Sequence, residues 1–460
     1  MARSKISFVA IIIAVLATAI SSNAQAQDRS TLLAKVESLR RQLQFNETVF
    51  LLPSDEDFVA FRDFLQQPGT GLIRLMPREK YDGKMLMRGG GSYYSFTRLT
   101  NAYGNGSDIG LEQGMLRVGF AGADFGFLTV IGDAPVDGIT LDRPGVSYLA
   151  ALNTPTTESE AREQQQRSST GFEADGFFYK DSLPVVVNTT YALRSTGYTQ
   201  SDILVAFRVT RQEADGSLIL AWKMLKKFFG PITSPEQIAI PQPPPRPVQE
   251  DRIHQMLDEL KQTEQEFLAP SNKDRAKYTE FLTQPDTGLI RLLPRELFQD
   301  KLTINGGAAY YSFARLTHEY GFGSDIELQQ NEFSVGFAGA DFGFLTRLGK
   351  VAIEDVTLDH PAARFLSTFA APTEEPGARD QQQRASAGFD VNGISYKNRV
   401  RLKRKNSYLL RSISYGEADL LVALRIVSQD DDGTVVIVWK ILKKFPVPQL
   451  SAAQPAPSER

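Results

Sequence analysis

Asp202-Ile203-Leu204-Val205-Ala206-Phe207-Arg208-Val209 leads up to the pair Asp215-Gly216, and Leu218-Ile219-Leu220-Ala221-Trp222-Lys223-Met224 leads away from it. Two strand-like runs about an Asp-Gly pair predict an antiparallel hairpin, Asp202–Gln212 against Ser217–Phe228. Alternation with a period of two puts Ile203, Val205, Phe207, Val209, Trp222 and Met224 on one face, apolar enough to lie on a core. The other face carries Leu204, Ala206, Ile219 and Leu225, so it is expected to be partly covered as well.

The same pattern returns around Asp432-Gly433, and it returns as part of something larger. Gly71-Leu72-Ile73-Arg74-Leu75, followed by Pro77-Arg78-Glu79, recurs as Gly288-Leu289-Ile290-Arg291-Leu292, followed by Pro294-Arg295-Glu296, 217 residues on. The offset holds without insertion from about Phe50/Phe267 to Phe228/Phe445. A period that long implies a repeated globular domain rather than a solenoid. The expected organisation is a signal peptide (1–26), a first domain (28–230), a proline-rich linker (231–250), a second domain (251–447) and a disordered tail (448–460).

Each repeat opens with an amphipathic helix, Leu32, Val36, Leu39 and Leu43 in the first and Ile253, Met256, Leu257 and Leu260 in the second. A second helix is expected after Ser54 and after Ser271, each with an aspartate three residues on. Glycine-punctuated strands such as Tyr93-Tyr94-Ser95-Phe96 follow, then helical pieces around Val146–Leu152 and Glu158–Ser169. The latter is expected to stop at Gly171. Runs of strands beside runs of helices, without βαβ alternation, predict an α+β fold with a largely antiparallel sheet.

The N-terminus reads as an export signal: Arg3 and Lys5, an apolar stretch Ser7–Ile20, then Ala24-Gln25-Ala26. The chain holds no cysteine, so disulfides, thiolate nucleophiles and cysteine-ligated metals are excluded. Together these predict a secreted or periplasmic protein of a bacterial envelope, without a membrane-spanning segment after cleavage. The formal net charge of −3 argues against nucleic acid as a partner.

The repeat also filters chemistry, because a function common to both halves needs residues present in both. His254, His318 and His360 all lie in the second half, opposite Glu37, Asn101 and Arg143, so no shared histidine triad or metal cluster is possible. No cofactor or metal is expected. Asp124-Phe125-Gly126 lacks the other parts of a kinase site, and Asp430-Asp431-Asp432-Gly433 lacks the spaced ligands of a calcium loop. Asp108 and Asp124 do recur, as Asp325 and Asp341, and two carboxyls across a cleft are what a glycan hydrolase requires.

Two basic features point instead to binding. With a two-residue turn at Asp215-Gly216, Arg208 would face Lys223 directly, and Arg425 would face Lys440. Like charges in that position call for a counter-ion, either an internal carboxylate or a bound anion. The second repeat alone carries Arg399-Val400-Arg401-Leu402-Lys403-Arg404-Lys405, which as a strand would align Arg399, Arg401, Lys403 and Lys405 on one face. Such a stripe serves either as a charged edge or as a dock for an anionic polymer, a lipid head group or an acidic protein. The polar helix Ala161–Arg167 and its repeat Ala378–Arg384 lack an apolar stripe and read as exposed or as covering a polar surface. The sequence thus favours a non-catalytic binding protein, with a carboxylate hydrolase as the alternative.

Overall fold

The computed structural model describes residues 29–451, except 102, 105, 198–200, 229–248, 319, 322 and 338. The expected signal peptide, most of the linker and most of the tail lie outside the described residues. Two compact units form: Ser38–Leu260, and 261–451 together with 29–37.

The fold is α+β, and each unit is built on one five-stranded antiparallel sheet. In the first unit the order is Thr70–Leu75, Leu218–Lys227, Ser201–Gln212, Thr189–Gly197, Phe125–Gly132. In the second it is Thr287–Leu292, Val435–Lys444, Ala418–Gln429, Ser407–Ser414, Phe342–Gly349, the same arrangement strand for strand. A smaller four-stranded sheet accompanies each; in the first unit it comprises Tyr93–Tyr94, Ile109–Glu112, Met115–Arg117 and Ser182–Pro184.

Both faces of the long hairpin are buried, which extends the expectation of partial cover. Ile203, Val205, Phe207, Val209, Leu220 and Trp222 share a core with Tyr94, Ile109 and Leu116 of the small sheet and with Phe96 of the turn after its first strand. Leu204, Ala206 and Ala221 on the opposite face share a core with Val146, Leu149 and Ala161 of two helices. The second unit repeats both cores. The first strand lies close enough to its neighbour that Gly71 sits under the Trp222 indole. A Cβ there would come within 2.6 Å of the ring, and the same holds for Gly288 under Trp439 at 2.5 Å.

Local signals place the helices. Ser54 caps Asp55–Ala60 and forms the reciprocal capping box with Asp57. Thr157 and Glu160 do the same for Glu158–Thr170, and Gly171 at φ +79° ends that helix. Pro361 occupies the first turn of Pro361–Thr368.

The hairpin register differs from the sequence expectation. Ala206 faces Lys223, and Arg208 faces Ala221. The connection is longer than two residues, since Glu213 N donates to Ser217 O, and irregularities fall between Leu204/Val205 and between Val209/Arg211. The second unit shifts identically, with Ala423 opposite Lys440 and Arg425 opposite Val438. Each extra residue moves the partner along the strand, so the like charges meet diagonally rather than head-on.

A buried ion pair lies at the end of the central strands. Arg194 is 2% exposed and Asp202 not at all. Nε and NH2 of Arg194 reach the two carboxylate oxygens at 2.9 and 2.7 Å, and NH1 donates to the carbonyls of Leu149 and Leu152 at 2.7 and 2.6 Å. Phe228 covers the guanidinium at 3.7 Å. Arg411, Asp419 and Phe445 reproduce the group in the second unit. Arg194→Met strands a buried carboxylate and is expected to cost about 3–5 kcal/mol in urea unfolding. Arg208→Met, on a part-exposed cation, is expected to cost clearly less; equal losses would show that the buried pair has no special weight.

Candidate functional site

Asp108 and Asp325 are almost wholly buried. Asp108 accepts from Phe96 N at 2.7 Å, Ser195 Oγ at 2.8 Å and Ser95 Oγ at 3.2 Å. Asp325 accepts from Phe313 N at 2.6 Å. Burial raises both carboxyls to about 6, against the lowering effect of these donors.

Asp124 and Asp341 occupy a different place. Each lines a cavity between the edge strand and the glutamine-rich helix, of about 450 Å³ in the first unit and about 270 Å³ in the second. Gln165 Nε2 donates to the carbonyls of Gly122 and Asp124 at 3.4 and 3.1 Å, and Gln382 does the same for Gly339 and Asp341 at 3.1 and 2.7 Å. These amides, from a helix that reads in sequence as exposed or as covering a polar surface, fasten the loop before the strand. Asp341 Oδ1 accepts from Tyr415 N at 2.9 Å. Neither Asp108 nor Asp325 lines the cavity of its unit. The two acids of the alternative hydrolase reading are thus held in separate settings.

The hairpin cations are met from within the fold. Arg208 pairs with Asp133 at 2.6 Å and donates to Ala134 O at 3.1 Å, and Lys223 Nζ donates to Asp137 O at 2.8 Å. In the second unit Arg425 donates to Val351 O and Lys440 to Glu354 O, the latter at 3.1 Å. Position 133 corresponds to Lys350, so carbonyls, not a retained carboxylate, are the common partners. Of the two counter-ions weighed for this pair, the internal carboxylate is present in the first unit as Asp133, and loop carbonyls take its place in the second. The histidines also fall apart: His318 is buried with Nε2 2.7 Å from Arg291 O, His360 caps a helix, and His254 lies beside Glu250. Among the described residues no group of acids and histidines could hold a metal ion.

The basic run survives as a surface, with a changed shape. Only Arg399–Arg401 is strand, at the edge of the small sheet, with Arg401 opposite Glu332 and Arg399 Nε 3.7 Å from that carboxylate. Beyond it the chain turns: Asn406 N donates to Lys403 O, and Lys405 adopts φ +61°. The strand expected to reach Lys405 therefore stops at Arg401, and Lys403, Arg404 and Lys405 are displayed on a turn. All five basic residues are exposed.

Two further cations join them. Arg347 is exposed on the edge strand Phe342–Gly349, opposite Tyr408, and Lys350 is exposed just after that strand. Ser407 Oγ donates to Val351 O, which brings the 403–406 turn to this edge. The side chains of Arg347, Lys350, Arg401, Lys403, Arg404 and Lys405 make no hydrogen bond or ion pair among the described residues. The first unit carries Val130, Asp133, Pro184, Val186, Val187 and Asn188 at the six positions 217 residues earlier. Comparing every position at the 217 offset, rather than one run, would have found Arg347 and Lys350.

Comparison with protein-family models, with curated proteins and with solved structures finds no match to this chain.

The buried acids set an expected pH response. Their carboxyls bind a proton more tightly in the folded than in the unfolded chain, so this contribution is full below about pH 4 and is lost as pH rises through about 6. The difference is of order 2–3 kcal/mol for each acid. Urea unfolding followed from pH 4 to 7 is expected to show that decline, and Asp108→Asn with Asp325→Asn to flatten it. An unchanged slope in the double variant would place the response elsewhere.

Proposed function

We propose that this chain is an exported protein that acts by binding rather than catalysis, and that the basic face of its second repeat docks an anionic polymer. The observation that carries this reading is the replacement of three exposed valines and their neighbours by cations. Val130, Val186 and Val187 are 44%, 49% and 39% exposed in the first unit, and their counterparts are Arg347, Lys403 and Arg404. A charged edge strand that blocks aggregation accounts for cations on that strand alone. Here cations from two separate segments, 347–350 and 399–405, converge, with Glu332 as the carboxylate beside them.

A lipid surface is the less favoured partner. Membrane-surface elements combine cations with inserting apolar side chains, whereas at this face the apolar positions of the first repeat have become basic. A hydrated polyanion needs only the charge. The hydrolase alternative draws no support from the placement of Asp108 and Asp124.

Retention on sulfated dextran at low ionic strength tests the reading. The wild-type chain is expected to bind and to elute well below about 1 M salt, where the screening length is about 3 Å. R399Q/R401Q/K403Q/K405Q is expected to weaken retention at least tenfold, and R347Q/K350Q to weaken it measurably. Retention unaltered by both sets overturns the proposal, as does tighter binding to anionic vesicles than to the polymer.

A further inference from the structure

A second surface, present in both units, is built from an arginine, two tyrosines and a glutamate; in the second unit its strands belong to the same small sheet as Arg399–Arg401. In the first unit Arg78 NH1 donates to Glu112 Oε1 at 3.0 Å, and the buried Tyr93 hydroxyl donates to the same oxygen. The Arg78 guanidinium lies 5.8 Å from the Tyr93 ring and 5.6 Å from that of Tyr103; the rings are 4.6 Å apart. In the second unit Arg295 NH1 donates to Glu327 Oε1 at 3.2 Å, and Tyr310 donates to it at 2.5 Å. Arg295 lies 5.7 and 5.8 Å from the rings of Tyr310 and Tyr320, which are 4.8 Å apart.

The glutamates are not equivalent. Glu112 corresponds to Gln329, and Glu327 corresponds to Gly110. Glu327 sits directly opposite Tyr310, whereas Glu112 is two residues farther along the strand from the partner of Tyr93. The carboxylate has changed position on one face of the strand, yet it meets the same oxygen-to-arginine and oxygen-to-tyrosine contacts. Retention by descent preserves positions; here the chemistry is preserved across a change of position.

The setting is strained and displayed. Leu99 and Leu316, on the turn preceding the second tyrosine, adopt φ +57° and +59°, a conformation costly for a leucine and cheap for glycine or asparagine. Leu316 is 60% exposed and Tyr320 43%. Gly89 and Gly306 are required beneath the inner tyrosine, because a Cβ would come within 2.6 or 2.7 Å of its ring. Arg295 is about one-third exposed, and beyond NH1 its guanidinium has no hydrogen-bond partner among the described residues.

We propose that this surface binds a neutral polyhydroxylated ligand, an oligosaccharide, with one site in each unit. A tyrosine ring offers a flat apolar face for the C–H side of a sugar. Guanidinium N–H groups beside it can donate to hydroxyls, and the arginine's charge is offset by its own carboxylates, Glu327 in the second unit and Glu112 with Asp82 in the first, where Arg117 shares Glu112. That offset separates this ligand from the polyanion of the basic face.

Isothermal titration of the full chain with cellotetraose, maltotetraose, laminaritetraose and chitotetraose tests the proposal. At least one is expected to bind saturably and without dependence on salt. Y103S/Y320S is expected to weaken that binding at least tenfold with an unchanged melting temperature, and Y103F/Y320F to keep it within about twofold, since phenylalanine retains the ring face. Absence of binding to all four sugars overturns the proposal. So does binding that survives Y103S/Y320S, or that is lost instead in R399Q/R401Q/K403Q/K405Q.

Discussion

The buried Arg194–Asp202 pair is the contact on which the layering of the first unit depends. It lies where the central hairpin strand, its neighbour and a helix end meet, and it satisfies groups from all three. The carbonyls of Leu149 and Leu152 belong to the end of Val146–Ala151, where backbone acceptors lack partners within the helix and a cation is favoured. Asp202 in turn accepts from Thr154 Oγ1 at 2.5 Å, and its backbone carbonyl receives Phe228 N at 2.8 Å. An ion pair so deeply buried is tolerable only when each remaining donor and acceptor is met. The arrangement recurs around Arg411 and Asp419, where the guanidinium reaches the carbonyl of Leu366.

The hairpin was legible because alternation is a property of side chains, and burial selects side chains. Ile203, Val205, Phe207 and Val209 therefore lie together in one core as expected, and Leu204 and Ala206 in another. Register was not legible, because it is decided by backbone irregularities that leave little compositional trace. Thr210 gives no sign in sequence that its Oγ1 will bond Ile219 O across the strands. The helix ends were legible for the opposite reason. Ser54, Thr157 and Gly171 act through their own side chains or their own backbone freedom, so residue identity carries the signal.

The sites divide along the same line. Asp108 and Asp124 were visible as recurring acids, but their settings depend on which strand face and which loop each joins. Asp108 is enclosed by serine hydroxyls and a backbone amide, whereas Asp124 lines a cavity under a glutamine-rich helix. Spacing in sequence holds no information on that difference. The basic run was visible as composition, yet its display on a turn follows from Lys405 adopting a left-handed conformation. Arg347 carries little signal in sequence because it is a single cation in a mostly apolar strand, and its place near the run follows from pairing with Tyr408 and from the Ser407–Val351 bond.

Covering the central sheet on both faces constrains where these units can differ. A substitution at Phe207 or Leu424 disturbs a packed layer, whereas Val130 and Arg347 at the edge differ in charge without cost to either core. The small sheet behaves likewise at its rim, where Pro184 gives way to Arg401. Positions free to differ without disturbing a core therefore lie mostly on edges, turns and the glycine-rich loops. The displaced glutamate follows from the same constraint. A carboxylate can exchange position 112 for the place opposite Tyr310 because both lie on one strand face, while the arginine and tyrosine it serves are fixed by their elements.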